Sequence, residues 1–300
     1  FRQLAFPNVH LEKLHTGCRW AEGPTWFAAG RYLVWSDIPN DRMLRWDETD
    51  GSVSVFRQPA MNSNGHTVDT QGRLVSCEHR ARCVSRTEHN GTRTVLAAHF
   101  QGKRFNSPND VVVKSDGSVW FTDPSYGIDS DYEGDAAPSE LGDCGVYRIA
   151  PDGRSFEPVA DGFVRPNGLA FSPDARTMYW SDTAAHVIHA WDWVGDANTL
   201  TRPHMFQKFA AKPAGWTPSS PYEGGQLLRF APDGKQVGAI ATPVQCPTMP
   251  CLGGDDLRTL FVTSARKGRP AGELEERPAS GCVVSMRVDT PGLPVAFFED

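Results

Sequence analysis

Short apolar runs, broken every few residues by turn-forming clusters, set the pattern of this chain, and no long stretch carries a helical period. The clearest instance is Arg165-Pro-Asn167-Gly-Leu-Ala-Phe-Ser-Pro-Asp174-Ala-Arg-Thr-Met-Tyr-Trp-Ser-Asp182. It predicts a strand over Leu169–Ser172, a tight Ser-Pro-Asp-Ala-Arg turn, and a second strand over Thr177–Asp182. The same outline recurs from Glu22, Asn64 and Asn109, and more loosely from Thr248. Copies begin roughly every 40 to 50 residues once a polar insertion at 124–144 is allowed for, the period of a β-propeller. Further strands follow each pair: Met43–Asp47 and Ser52–Arg57 in the first unit, Gly145–Ala150 and Phe156–Asp161 in the third, Val187–Trp193 and His204–Phe209 in the fourth. The last unit reads Met249–Leu252, Thr259–Thr263, Cys282–Val288 and Pro294–Phe298.

The expected architecture is therefore all-β, a six-bladed β-propeller with four-stranded blades spanning residues 1–300 as a single domain. The fifth blade departs from the repeat and is expected to be truncated. Gln226–Phe230 and Lys235–Ile240 are clear strands, but the opening pair is replaced by Lys212-Pro-Ala214-Gly-Trp-Thr-Pro-Ser-Ser-Pro-Tyr-Glu223, too short and too rich in proline for a central strand. The alternating Leu4–Leu14 stretch is expected to pair with the last unit and close the ring. The 124–144 insertion, rich in Gly, Pro and Asp, is expected to act as a lid that governs substrate range.

Composition narrows the function. A net charge of −6 argues against nucleic acid or an anionic membrane surface as partner, and no apolar run approaches a membrane span. The seven cysteines are scattered without Cys-x-x-Cys spacing. That excludes zinc-finger and thioredoxin-like motifs and favours reduced thiols in a cytoplasmic setting, the periplasm being the other option. Nucleophile elbows, phosphate-binding loops and dinucleotide fingerprints are likewise missing.

What remains is the column of residues that head the repeated strands. Inner propeller strands begin at one mouth of the channel, so Glu22, Asn64, Asn109 and Asn167 are expected to converge there, with His66 two residues into its strand. One carboxylate with several amide carbonyls is an oxygen set suited to a hard divalent cation. An Asn before Gly is by itself an ordinary turn residue. Three Asn and a Glu in register on a ring favour a metal site. Asp37, Asp123 and Asp182, which close the second strands, are expected to serve turns or buried hydrogen bonds. His66 is expected to be a pocket hydrogen-bonding group rather than a ligand.

Several stretches together resemble the SMP-30/gluconolactonase/luciferin-regenerating family over most of the chain: Ala21-Glu-Gly-Pro-Thr-Trp26, Asn62-Ser-Asn-Gly-His-Thr-Val-Asp69, Phe105-Asn-Ser-Pro-Asn-Asp-Val-Val-Val113, Trp120-Phe-Thr-Asp-Pro-Ser-Tyr-Gly127 and Arg165-Pro-Asn-Gly-Leu-Ala-Phe-Ser-Pro-Asp174. The resemblance implies a six-bladed propeller that hydrolyses sugar lactones with one divalent cation, Ca²⁺ foremost and Mg²⁺, Mn²⁺ or Zn²⁺ as alternatives. It implies Glu22, Asn109 and Asn167 as metal ligands, and Asn64, His66, Asn109 and Tyr126 as substrate-binding residues. Asn106 is also of a type to bind hydroxyls. The catalytic Asp that the resemblance would supply falls at Ala214, so no catalytic base is assigned, and Glu223 is the nearest carboxylate along the chain. The implied partner is a small-molecule lactone, the protein acting as a monomer or homodimer. Two other readings stand beside this one: a related ester or phosphotriester hydrolase on the same scaffold, and a non-catalytic binding propeller.

Overall fold

The computed structural model describes residues 11–153, 156–194, 199–200, 204–209 and 224–294. The expected irregular opening of the fifth unit, with Ala214 and Glu223, lies outside the described residues. The chain forms two compact units, one built from the described residues up to Gly65 and from 224 onward, the other beginning at His66.

In the first unit, Ala21–Phe27, Tyr32–Asp37, Arg42–Asp47 and Val53–Arg57 pair antiparallel in chain order. Leu33, Val34, Trp35, Ser36 and Asp37 are all buried, although they alternate between the two faces of their strand. A strand buried on both sides needs cover on both faces, which stacked blades provide. One layer of that cover comes from the last sheet: Phe261 stacks on Trp26 with ring centroids 5.5 Å apart. There is no room for a side chain at Gly253, where a Cβ would lie 2.5 Å from the Trp26 ring.

The last sheet runs in the order Glu12–His15, Val283–Arg287, Thr259–Ser264, Pro247–Gly253. Its outer strand comes from the N-terminal end of the chain, as the alternating Leu4–Leu14 stretch suggested, and Glu12 pairs with Ser285. Among the described residues the outer strand is Glu12–His15; of the expected Pro294–Phe298 strand, Pro294 is not in a strand and the rest lies outside the described residues. A short helix, Ala271–Glu276, joins the middle strands and was not expected.

The second unit carries the sheets of the third and fourth repeats. Val111–Val113, Val119–Asp123, Cys144–Ile149 and Phe156–Phe163 pair in order; Pro166–Phe171, Thr177–Asp182 and Val187–Val194 follow, with His204–Lys208 and Thr199–Leu200 both on the third of these. Aromatic residues fill the interior, Trp180 meeting Trp191 edge-on at 4.6 Å and Phe105 meeting Phe121 at 5.1 Å. Ser63–Val68 opens the remaining four-stranded sheet, with Leu74–Glu78, Cys83–Thr87 and Arg93–Ala97. Among the described residues there are thus five sheets of four or more strands, and the fifth repeat contributes only the two-stranded ladder of Gln226–Phe230 with Gln236–Ala241.

One device recurs. In three of the sheets the acid that closes the second strand accepts hydrogen bonds from the backbone leading into its own innermost strand. Asp37 takes Arg19 N at 3.0 Å, Asp123 takes Asn106 N at 2.8 Å, and Asp182 takes Val164 N at 3.0 Å. The expected structural role of these three acids is what the structure shows. A second set of bonds ties each innermost strand to the neighbouring sheet within a unit: Thr248 Oγ1 to Ala21 O at 2.6 Å, Ser36 Oγ to Asn64 O at 3.1 Å, and Leu169 N to Asp110 Oδ2 at 2.8 Å. These bonds fix the strands that carry the candidate site.

Candidate functional site

The residues singled out as strand heads sit inside their strands at irregularities, rather than before them as the pattern suggested. Pairing skips between Glu22 and Thr25, between Pro166 and Leu169, and between Pro247 and Pro250. A bulge re-aims a side chain that regular pairing would commit to one face of the sheet. Glu22 and Asn167 gain their orientation this way. Asn109 instead stands just before its strand, Val111–Val113.

In the first unit, Glu22 is half-buried and one carboxylate oxygen accepts the Gly23 N–H at 3.1 Å. Gly23 adopts φ +57, and a Cβ there would lie 2.1 Å from the carbonyl oxygen of Asn64. Only glycine permits both the left-handed turn and that approach. The Asn64 side chain is buried, 6% exposed. Glu22 and Asn64 therefore belong to one tightly packed corner.

The second unit holds the other candidates. Asn109 is 4% exposed, and its amide nitrogen lies 3.4 Å from His79 Nε2. His79 is fully buried, with Nδ1 3.1 Å from the carbonyl of Glu133. A carbonyl only accepts, so Nδ1 carries the ring proton and Nε2 presents its lone pair. Burial lowers the pKa of His79 to about 4, which keeps the ring neutral. Asn109 must then donate to it through its amide nitrogen, and its carbonyl oxygen is turned away from the ring.

Tyr126 hydrogen-bonds Asn167 and Thr183, and the Arg165 guanidinium lies over its ring, 5.0 Å from the centroid. Gly127, the next residue, packs on His79 so closely that a Cβ would lie 2.5 Å from the His79 Cβ. Asn167, Tyr126, Gly127, His79 and Asn109 thus form one continuous line of contacts. His66 is 3% exposed and its Nδ1 lies 2.9 Å from Ser76 Oγ, so it is engaged in its own sheet. Asn106 is fully buried; its amide donates to Asp143 O at 2.8 Å and accepts from Ser139 Oγ at 2.6 Å. Both ends of its amide are thus engaged within the protein.

The insertion after Asp123 is strapped down. Ser107 Oγ donates to Pro124 O at 2.6 Å and accepts Gly127 N at 2.9 Å; Arg80 pairs with Asp135 at 3.1 Å and Arg165 with Asp129 at 2.9 Å. The exposed ion pairs add little energy, but the buried serine and glycine contacts fix the path. Composition suggested a mobile cover; in the structure its first residues, Pro124 to Gly127, are held by Ser107.

His79, in contact with the candidate residue Asn109, is the neighbour that sequence reasoning missed. It directly follows Glu78, which closes its strand as Asp37, Asp123 and Asp182 close theirs. A histidine in that register was the available signal.

Two buried acids shape the pH response. Burial raises Asp110 to about 6, against hydrogen bonds from Leu169 N and Val111 N that pull it down. It raises Asp123 to about 7, against bonds from Asn106 N and Ser107 N. Asp123 Oδ1 has no partner among the described residues. Both pKa values lie above the unfolded value near 3.8, so the folded state holds these protons more tightly. Their stabilisation is complete below about pH 4 and is lost as pH rises through about 6 and 7. Chelator-treated protein is expected to melt at progressively lower temperature from pH 5 to pH 7.5, and Asp123→Asn to flatten that slope. A melting temperature that rises over this range, equally in both proteins, would contradict the assignment.

The SMP-30/Gluconolactonase/LRE-like region model matches residues 20–266. The chain belongs to that family. A 6-deoxy-6-sulfogluconolactonase from Pseudomonas putida is 32% identical over 92% of this chain and 94% of its own length. A gluconolactonase from Zymomonas mobilis is 31% identical over 86% of this chain and 80% of its own length. Among solved structures, a Xanthomonas campestris gluconolactonase aligns with a TM-score of 0.78 and 34% identity, covering 95% of this chain and 91% of that one. The fold of this family member is an all-β propeller. Among the described residues, no helix is long and apolar enough to cross a membrane.

Proposed function

We propose that this chain hydrolyses sugar lactones with the help of one divalent cation. The observation that carries the reading is membership of the family together with relatives named as gluconolactonase and sulfogluconolactonase. The two-stranded ladder of Gln226–Phe230 with Gln236–Ala241 is read as the described part of the shortened fifth of six blades.

Glu22, Asn109 and Asn167 would hold the cation. The donor chemistry fits: one carboxylate and two amide carbonyls make an all-oxygen set, and Asn109 has its carbonyl turned free of His79. With Ala at position 214, that set is one carboxylate poorer than the resemblance implies, so we read the site as of modest affinity and completed by water, with Ca²⁺ the foremost occupant. When bound, the cation would supply Lewis-acid polarisation of the lactone carbonyl. The remaining work belongs to the chain's own groups. Asn64 and the Tyr126 hydroxyl can pair with sugar hydroxyls, and a neutral substrate calls for such groups rather than a basic patch. The Ser107 bonds at the start of the insertion and the tied inner strands would hold these donors fixed before substrate arrives.

Two measurements test the reading. Chelation is expected to suppress turnover of glucono-1,5-lactone, and added Ca²⁺ to restore it. Turnover that is indifferent to exhaustive chelation would overturn the cation, and preference for a phosphotriester over every lactone would overturn the substrate class.

A further inference from the structure

We infer that His79 is a positioning residue: its Nε2 lone pair takes the Asn109 amide N–H and so commits that side chain's carbonyl oxygen to the cation. The inference rests on the cation reading above and adds to it the part of the chain that sets a ligand's orientation. An asparagine can present either end of its amide, and only the oxygen serves a metal. The choice is made one residue away, by the ring's own hydrogen bond. Nδ1 lies 3.1 Å from the Glu133 carbonyl, which leaves Nε2 with no proton to give.

The insertion sets the ring. Glu133 lies within it, and its backbone reaches His79 because two glycines remove the side chains that would hold it off. A Cβ on Gly127 would lie 2.5 Å from the His79 Cβ and 2.8 Å from the Ser107 Cβ. A Cβ on Gly134, next to Glu133, would lie 2.2 Å from the Gly127 carbonyl oxygen. Ser107 Oγ holds the near end of the insertion through Pro124 O at 2.6 Å and Gly127 N at 2.9 Å. The chain of dependence runs from the insertion backbone to the His79 tautomer, to the Asn109 amide, to the metal-facing oxygen. A segment that composition marks as governing substrate range therefore also governs a ligand.

The test is calorimetric titration of Ca²⁺ into chelator-stripped full-length protein, with kcat and KM measured alongside. His79→Leu removes the acceptor and frees the amide to turn; it is expected to weaken Ca²⁺ binding about 10- to 100-fold, the usual cost of losing a partner that orients a ligand. His79→Gln keeps a carbonyl that can accept the same N–H and is expected to bind within a few-fold of the parent. In the double variant His79→Leu with Asn109→Asp, affinity is expected to recover, because a carboxylate has no wrong end to present; a merely structural role for His79 would not be rescued at position 109. If His79→Leu folds poorly, His79→Met keeps the volume without a strong acceptor and carries the same expectation. Parent-like Ca²⁺ affinity in the folded Leu or Met variant overturns the inference, as does failure of Asn109→Asp to restore any of the loss. Asn109→Ala separates the two levels. If it too binds Ca²⁺ like the parent, the cation reading itself fails; if it loses binding while His79→Leu does not, only the positioning role fails.

Discussion

Glu22→Gln is expected to abolish lactone turnover while leaving the melting temperature of the chelator-treated protein within a few degrees of the parent. The substitution keeps the shape of the side chain and an oxygen able to accept the Gly23 N–H, which lies 3.1 Å from the carboxylate. What it removes is the formal negative charge in the proposed donor set. Asn109 and Asn167 contribute only dipoles, and position 214 is alanine, so Glu22 carries the electrostatic part of the affinity. Losing an outer partner of a ligand typically costs ten- to a hundredfold in metal affinity, and loss of the charged ligand is expected to cost about a hundredfold or more. Calorimetry with Ca²⁺ and steady-state lactone hydrolysis on the same preparation check it. Near-parental activity in the folded variant would remove Glu22 from the site.

Gly23→Ala is expected to be the most damaging single-methyl change near the site. The glycine has φ +57, and its missing Cβ would sit 2.1 Å from the Asn64 carbonyl oxygen and 2.8 Å from the Gly65 Cα. Both obstacles are backbone, so no side chain can rotate away. The Asn64 carbonyl is itself held by Ser36 Oγ at 3.1 Å, and the strand before Gly23 is held by Thr248 Oγ1 on Ala21 O at 2.6 Å. Strain at a left-handed position and overpacking each cost on the order of 1–3 kcal/mol, so a loss of about 3 kcal/mol is expected. Chemical denaturation would read it as a lower midpoint with an unchanged slope. Glu22 lies next to the strained residue, so turnover should fall even at temperatures where the variant is folded. A variant as stable and as active as the parent would contradict the packed corner.

Much of this was legible in the sequence because propeller blades repeat their chemistry. The Asp that closes a second strand and the Asn or Glu that opens an inner one recur in register, so position in the repeat announces role. Asp37, Asp123 and Asp182 illustrate this: three acids in one column, each accepting from the backbone that enters its innermost strand. The short turns around Gly72, Gly117 and Gly153 were legible for the same local reason, since each glycine takes a positive φ.

Features that depend on contacts between distant segments were not legible. Whether Asn106 faces substrate or the interior is decided by Ser139 and Asp143, far along the chain, and nothing in Phe105-Asn-Ser-Pro announces them. The bulges at Glu22 and Asn167 follow from bonds to neighbouring strands, so the strands begin earlier than the apolar pattern indicates. His79 gains its meaning only when the insertion folds back and Gly127 settles against it. The outer strand of the last sheet, Glu12–His15, comes from the far end of the chain and is defined by its pairing with Val283–Arg287.

The most direct test of the central claim is an anomalous difference map from crystals of the full chain soaked in Mn²⁺. The account predicts one strong peak within bonding distance of a Glu22 carboxylate oxygen and the side-chain oxygens of Asn109 and Asn167, with water completing the shell. A peak bound elsewhere, or none at these residues in a crystal whose protein turns over lactone, would contradict it.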